Sequence, residues 1–305
     1  MHTSILSAIP VLQFNGPEET LPGARTLHAY QDLALNQFQS LVDTIDAQKP
    51  GFKQTVVESG FYDKRDFVIS PEIWNLGRWV DPAEVEYISK FIEVAIAAER
   101  SYLGQEVFET SPLWTVNGEC FIRPRPDGQS PFKYQAPQLL GRLSMDFLSP
   151  YCSYLSNGQM GEPEETATAD YDFEDIEKLT QHFSQALAPV DKQWNQLKMF
   201  IRDFTRHLVL KVNPAIPFSC GSTRTYVGRS VFCNSEAVPE PILAKEVVHE
   251  SVHSFLYMLE ELNPWMPSWE VSGKIGTNDP SVRTGNNISQ VSFAQAVYVW
   301  YALIN

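Results

Sequence analysis

The stretch from Pro239 to Pro264 constrains this chain more than any other. Pro239-Glu240-Pro241 suits the opening of a helix and is costly inside one, because proline has no N–H to give to the preceding turn. Asn263-Pro264 closes it, since the residue before a proline is pushed out of the helical range. Between these limits Val248, Val252, Phe255 and Leu259 recur at spacings of three and four, which predicts a helix with one stripe against a core. Inside that helix stands His249-Glu250-Ser251-Val252-His253, an HExxH pattern. Residues i and i+4 lie one turn apart on one face, so both imidazoles can meet a single metal ion. Glu250, about 100° further round, can still reach a water or oxygen beside that ion. The two histidines border the apolar stripe, so they are expected at the edge of the buried face.

Two neutral imidazoles do not complete a metal site, and a third ligand must come from elsewhere. Downstream candidates are Glu260, Glu270, Asp279 and Gln295. Glu260 is nearly in line with His249 but about three turns away, too far to share the ion. Glu270 follows a Pro-rich reversal, roughly where a zinc peptidase would place a carboxylate ligand, although its neighbours read as loop. The HExxHxxGxxH extension is absent, with Leu256 at the Gly position and Leu259 at the last His. His28, His182 and His207 have no partners at ligand spacing. Tyr298, Trp300 and Tyr301 are expected to pack into the core.

The rest of the chain alternates helices with short β segments. A helix is expected over about Ala24–Ala47. Asp81-Pro82-Ala83-Glu84 opens another, whose stripe (Val85, Ile88, Ile92, Ala95, Ile96) runs to a stop at Gly104. Residues 113–116 and 120–122 read as a hairpin about Asn117-Gly118, with a type I′ turn. A polar, acidic stretch over 157–170 reads as a linker, dividing the chain into regions 1–160 and 161–305. Beyond it two helices are expected, about 172–187 and 190–208, broken at Pro189. A second hairpin, 223–227 with 230–233, should turn at Gly228, and an apolar helix runs from Val291 to Asn305. Its uncapped end suggests that the native domain continues past Asn305. Together these predict a helix-rich α+β fold with a small antiparallel sheet beside the motif helix.

Charge narrows the partners. Lys+Arg is 23 against Asp+Glu 37, a net charge of −14. Nucleic acid and anionic membranes both demand a basic footprint, so neither is expected; the charge is compatible with a basic or neutral peptide or protein partner, or with simple solubility. No apolar run approaches the ~20 residues of a membrane span, and the N-terminus lacks the pattern of a signal peptide. Four cysteines without a CxxC pair read as free thiols of a cytoplasmic protein.

Several segments of the C-terminal part form a recognisable set: Ile242 to His253, the preceding Gly221-Ser222…Gly228…Val231-Phe232-Cys233-Asn234, and the following Pro264-Trp265, Asp279-Pro280-Ser281-Val282-Arg283 and Gln295 to Trp300. Over roughly residues 185–305 the chain resembles the HExxH-type, iron- and 2-oxoglutarate-dependent peptide β-hydroxylases found with ribosomally made peptide natural products. That resemblance implies Fe(II) held by His249, His253 and a third residue on the last helix. It also implies 2-oxoglutarate on the metal, its far carboxylate paired with Arg283, for which Arg224 and Arg229 are alternatives. Where the third histidine is expected the chain has Gln295, a weaker ligand through its carbonyl oxygen. Glu250 would then orient water or a ligand, and the N-terminal half would recruit the peptide. A second reading is a zinc peptidase with Glu250 as general base and an acidic residue such as Glu270 as third ligand. A third is a non-catalytic peptide-binding partner whose site has decayed at position 295.

Overall fold

The computed structural model describes residues 11–12, 14, 22–78, 84–105, 112–123, 132–147, 173–213, 216–265, 276–280 and 287–304. The fold is α+β and helix-rich, as the alternation of helical and β segments predicts. Its N-terminal part is helical: α1 (Pro22–Gln48), α2 (Phe52–Glu58), α3 (Arg65–Val68), α4 (Pro71–Arg78) and α5 (Val85–Tyr102). Helix α5 stops where Gly104 takes a φ of 81°, a left-handed conformation that glycine adopts without steric cost. Residues 81–83, with the expected N-cap, lie outside the described residues.

A three-stranded antiparallel sheet follows, made of β1 (Leu113–Trp114), β2 (Cys120–Arg123) and β3 (Phe132–Gln135). The expected hairpin is present, with Leu113 opposite Ile122 and Trp114 opposite Phe121. Its turn is not type I′, which needs positive φ at both central residues; only Gly118 has it, at 66°. The larger loop closes with Gly118 N–H donating to Thr115 O at 2.9 Å.

Strands β4 (Gln138–Leu139) and β5 (Leu143–Asp146) begin a second sheet. Helices α6 (Phe173–Gln193) and α7 (Asn195–Phe204) lead to β6 (His207–Lys211), β7 (Ser219–Ser222) and β8 (Arg229–Cys233). The strand order is β4-β5-β6-β8-β7. This sheet is mixed rather than purely antiparallel: β6 runs parallel to both β5 and β8. The β7–β8 hairpin is antiparallel as expected, but its first strand is 219–222, and Tyr226 and Val227 are buried in the turn. The helix pair breaks at Trp194 and not at Pro189, which is accommodated within α6.

The motif helix α8 (Glu240–Leu262) has the predicted limits. It lies on β7 and β8 and packs against α1, α6, α7 and the last helix. Strands β9 (Gly276–Pro280) and β10 (Asn287–Ser289) pair antiparallel within the expected loop, and α9 (Gln290–Ile304) follows. The expected division at residues 160 and 161 does not separate two packing units among the described residues. The β5–β6 pairing crosses it, and α1 and α8 share one core. The acidic stretch at 157–170 and Cys152 lie outside the described residues, and Cys120, Cys220 and Cys233 are free thiols. Among the described residues no helix is long and apolar enough to cross a membrane.

Candidate metal centre

Helix α8 is held from its apolar side by an aromatic cluster. Phe255 meets Phe204 at 4.9 Å and Phe200 at 5.6 Å between ring centres. Ser251 Oγ is 2.7 Å from Thr205 Oγ1 and donates to Val247 O. With that face fixed, His249 and His253 come to the opposite edge, half-buried as the sequence predicts.

Their Nε2 atoms are 3.1 Å apart. Two imidazole nitrogens bound at about 2.1 Å to one ion subtend about 3.0 Å at a right angle and about 3.4 Å at the tetrahedral angle. The observed separation falls inside that range. Gln295, on the second turn of α9 and buried, places Oε1 3.1 Å from His253 Nδ1. A carbonyl oxygen only accepts, so Nδ1 carries the proton and Nε2 presents a lone pair. The two Nε2 atoms face each other, and a divalent cation between them would take a lone pair from each. The residues therefore fit a metal ion. Gln295 stands at the outer nitrogen of His253 and not at Nε2, so in this arrangement it orients a ligand instead of contributing one.

Around this pair lies a polar set that joins to Glu250 residues the sequence reading gave no role in the site. Ser222 Oγ donates to Glu250 Oε2 at 2.7 Å, while Glu250 Oε1 is 3.9 Å from His249 Nε2. Glu246 Oε2 is 3.9 Å from His249 Nδ1 and accepts from the Cys220 thiol at 3.4 Å; its Oε1 pairs with Lys245 at 2.8 Å. Cys220, Glu246 and Glu250 bring ligand-type atoms within 4.8 Å of one another. Burial, then the charges of Glu250 and Glu246, push the Cys220 thiol up, so it keeps its proton. Tyr257 stacks on His253 with ring centres 6.0 Å apart, and its hydroxyl donates to Ser222 O at 3.4 Å. Burial, with Glu250 and Glu260, raises that phenol as well. Glu246 and Tyr257 sit three before His249 and four after His253, so helical spacing could have found them. Ser222 belongs to a segment that carries the family resemblance, but only strand register brings it and Cys220 to the site.

The other candidates are placed as follows. Glu260 pairs with Arg224 at 3.3 Å, and Arg224 also donates from Nε to Glu261 at 2.7 Å. Arg229 is buried against Glu72 and lies 3.8 Å from the Tyr226 ring centre. Both alternatives to Arg283 are thus committed within the chain. Arg283 and Glu270 lie outside the described residues, and Asp279 falls on β9. His182 Nε2 contacts Val238 O, and His207 is buried on the central strand. Tyr298 and Tyr301 pack against the core as expected, whereas Trp300 is exposed.

No protein-family profile matches the chain, and no protein of curated function matches it.

Proposed function

We propose that the protein is a metal-dependent enzyme acting on a peptide, and that its reaction is Fe(II)- and 2-oxoglutarate-dependent hydroxylation of a side-chain β-carbon. The observation that carries a metal here is the 3.1 Å approach of the His249 and His253 Nε2 atoms, with the His253 tautomer fixed by Gln295. The hydroxylase assignment rests on the resemblance over residues 185–305. Bound iron would supply the oxidising chemistry, and 2-oxoglutarate the two electrons needed to activate O₂ along with substrate oxidation. The chain's own part is to aim both imidazoles, to hold Glu250 against Ser222, and to seal the inner side of the site with Cys220 and Glu246.

A zinc peptidase is the second reading, favoured by one distance. Glu250 Oε1 is 3.9 Å from His249 Nε2, near enough for the carboxylate to take a proton from an attacking water. Anaerobic reconstitution of the full chain with Fe(II) or Zn(II) separates the two. Peptide-stimulated conversion of 2-oxoglutarate to succinate with a peptide mass gain of one oxygen supports the hydroxylase. Peptide cleavage with zinc and no succinate supports the peptidase, and loss of both metals on desalting refutes both.

A further inference from the structure

A cavity of about 240 Å³ lies off the face of α8 away from the histidine pair. Its walls come from the start of α3, the end of α5, the β1–β2 turn, the β4–β5 turn and the link between α7 and β6. Thr205, on its rim, touches Ser251, which lies about 200° around α8 from each adjacent histidine of the motif. The cavity is therefore separate from the metal centre.

Four cations line it in a chain of net charge −14: Lys64, Arg142, Arg202 and Arg206. Arg206 is 5% exposed. Its Nη1 reaches Asp66 Oδ1 at 3.4 Å, but its Nε and Nη2 are buried with no hydrogen-bond partner. Arg202 Nε is buried without a partner in the same wall. Asp66 is shared, since Arg142 already donates to the same oxygen at 2.7 Å. A guanidinium buried with unanswered N–H groups is destabilising, because each donor left dry has lost its water without gaining a partner. Burial and the nearby charge of Arg142 bring Arg206 down to about 10, against the opposing pull of Asp66 and Asp203.

That pull from Asp66 and Asp203 still leaves Arg206 Nε and Nη2 without a hydrogen-bond partner. Glu99 gives Oε1 to the Val116 N–H at 3.0 Å and is pushed up to about 7 by burial and by Glu119. Glu119 is raised by burial too. Both are drawn toward their neutral forms, in which a carboxyl O–H donates to an anion where a carboxylate would repel it. Gly228 keeps the buried arginine in place: its φ is 89°, and a Cβ there would lie 2.9 Å from Arg206 Cγ.

We infer that this cavity binds the oxyanion group of a small molecule, a phosphate or a carboxylate, on Arg206 and Arg202. Guanidinium groups suit such ligands because their N–H groups match two oxygens at once. The test is titration calorimetry of the full chain with inorganic phosphate and, separately, succinate, beside thermal shift. Saturable binding of one anion per chain is expected, with the responding probe naming the oxyanion. Arg202→Gln and Arg206→Lys should each weaken it at least about tenfold, and His249→Ala should leave it intact. If Arg206→Lys does not fold, Arg202→Gln carries the comparison. No binding of either probe at about 10 mM, well above the weak-site range, overturns the inference. So does binding indifferent to Arg202→Gln, or binding lost in His249→Ala.

Discussion

Gln295 Oε1 accepts the His253 Nδ1 proton at 3.1 Å, tying the last helix to the motif helix through one side chain. The bond turns the opposite nitrogen toward His249. Replacing Gln295 with Leu should leave the ring free to rotate or change tautomer, and metal affinity should fall about 10- to 100-fold. Gln295→Glu keeps the acceptor and should restore most of it. Competition with a chromophoric chelator reads the difference. Equal affinity in all three proteins would remove Gln295 from the site.

His249→Ala and His253→Ala should each abolish stoichiometric metal binding while the helix signal and cooperative melting persist. The Phe200–Phe204–Phe255 cluster that holds α8 lies on its other side and is untouched. Elemental analysis with circular dichroism checks both halves of the statement.

Glu250→Gln divides the two chemistries. As general base its loss should cost about 10²–10⁴-fold in rate. In a hydroxylase no such base is needed, and 2-oxoglutarate turnover should persist at reduced rate. The variant also changes what Ser222 Oγ donates to, from a carboxylate to an amide oxygen. Single-turnover succinate release, with and without peptide, beside peptide cleavage decides between them.

The limits of α8 were legible because prolines bound it and its apolar spacing is regular. The histidine pair was legible because i and i+4 must share a face. Gln295 was picked out through a family resemblance, yet its place at Nδ1 depends on how α9 lies against α8, which spacing along one helix cannot encode. Ser222 stood in a segment of that resemblance, yet its contact with Glu250 was not legible for a related reason: strand register delivers it. Pro189 misleads because packing of α6 on α8 outweighs one lost hydrogen bond. The parallel centre of the sheet was invisible since β5 and β6 are separated by a long crossover.

Glu99 gives the stability curve a defined slope. Its folded-state value, about 7, lies above the ordinary 4.5, so the folded chain holds a proton the unfolded chain has released. Stability from this group is therefore full below about pH 4.5, declines as pH rises to about 7, and is level beyond. Glu99→Gln should remove on the order of 2 kcal/mol of that decline. Urea unfolding at about pH 5 and pH 7.5 in phosphate-free buffer measures it; an unchanged decline would place the titration elsewhere.

Strand β5 finds its parallel neighbour only after α6 and α7 have been made, and α1 rests against a helix that begins at residue 240. Contacts this distant in sequence form late, because the loops they close lose chain entropy before any burial offsets it. During synthesis α1 can pack on α2, α3 and α4, but the part of its stripe that meets α8 stays uncovered until α8 has left the ribosome. An N-terminal fragment ending before α8 keeps the Tyr30–Trp74 and Phe38–Phe67 contacts but lacks the helix that completes the shared core, and the apolar surface left open makes it prone to aggregate.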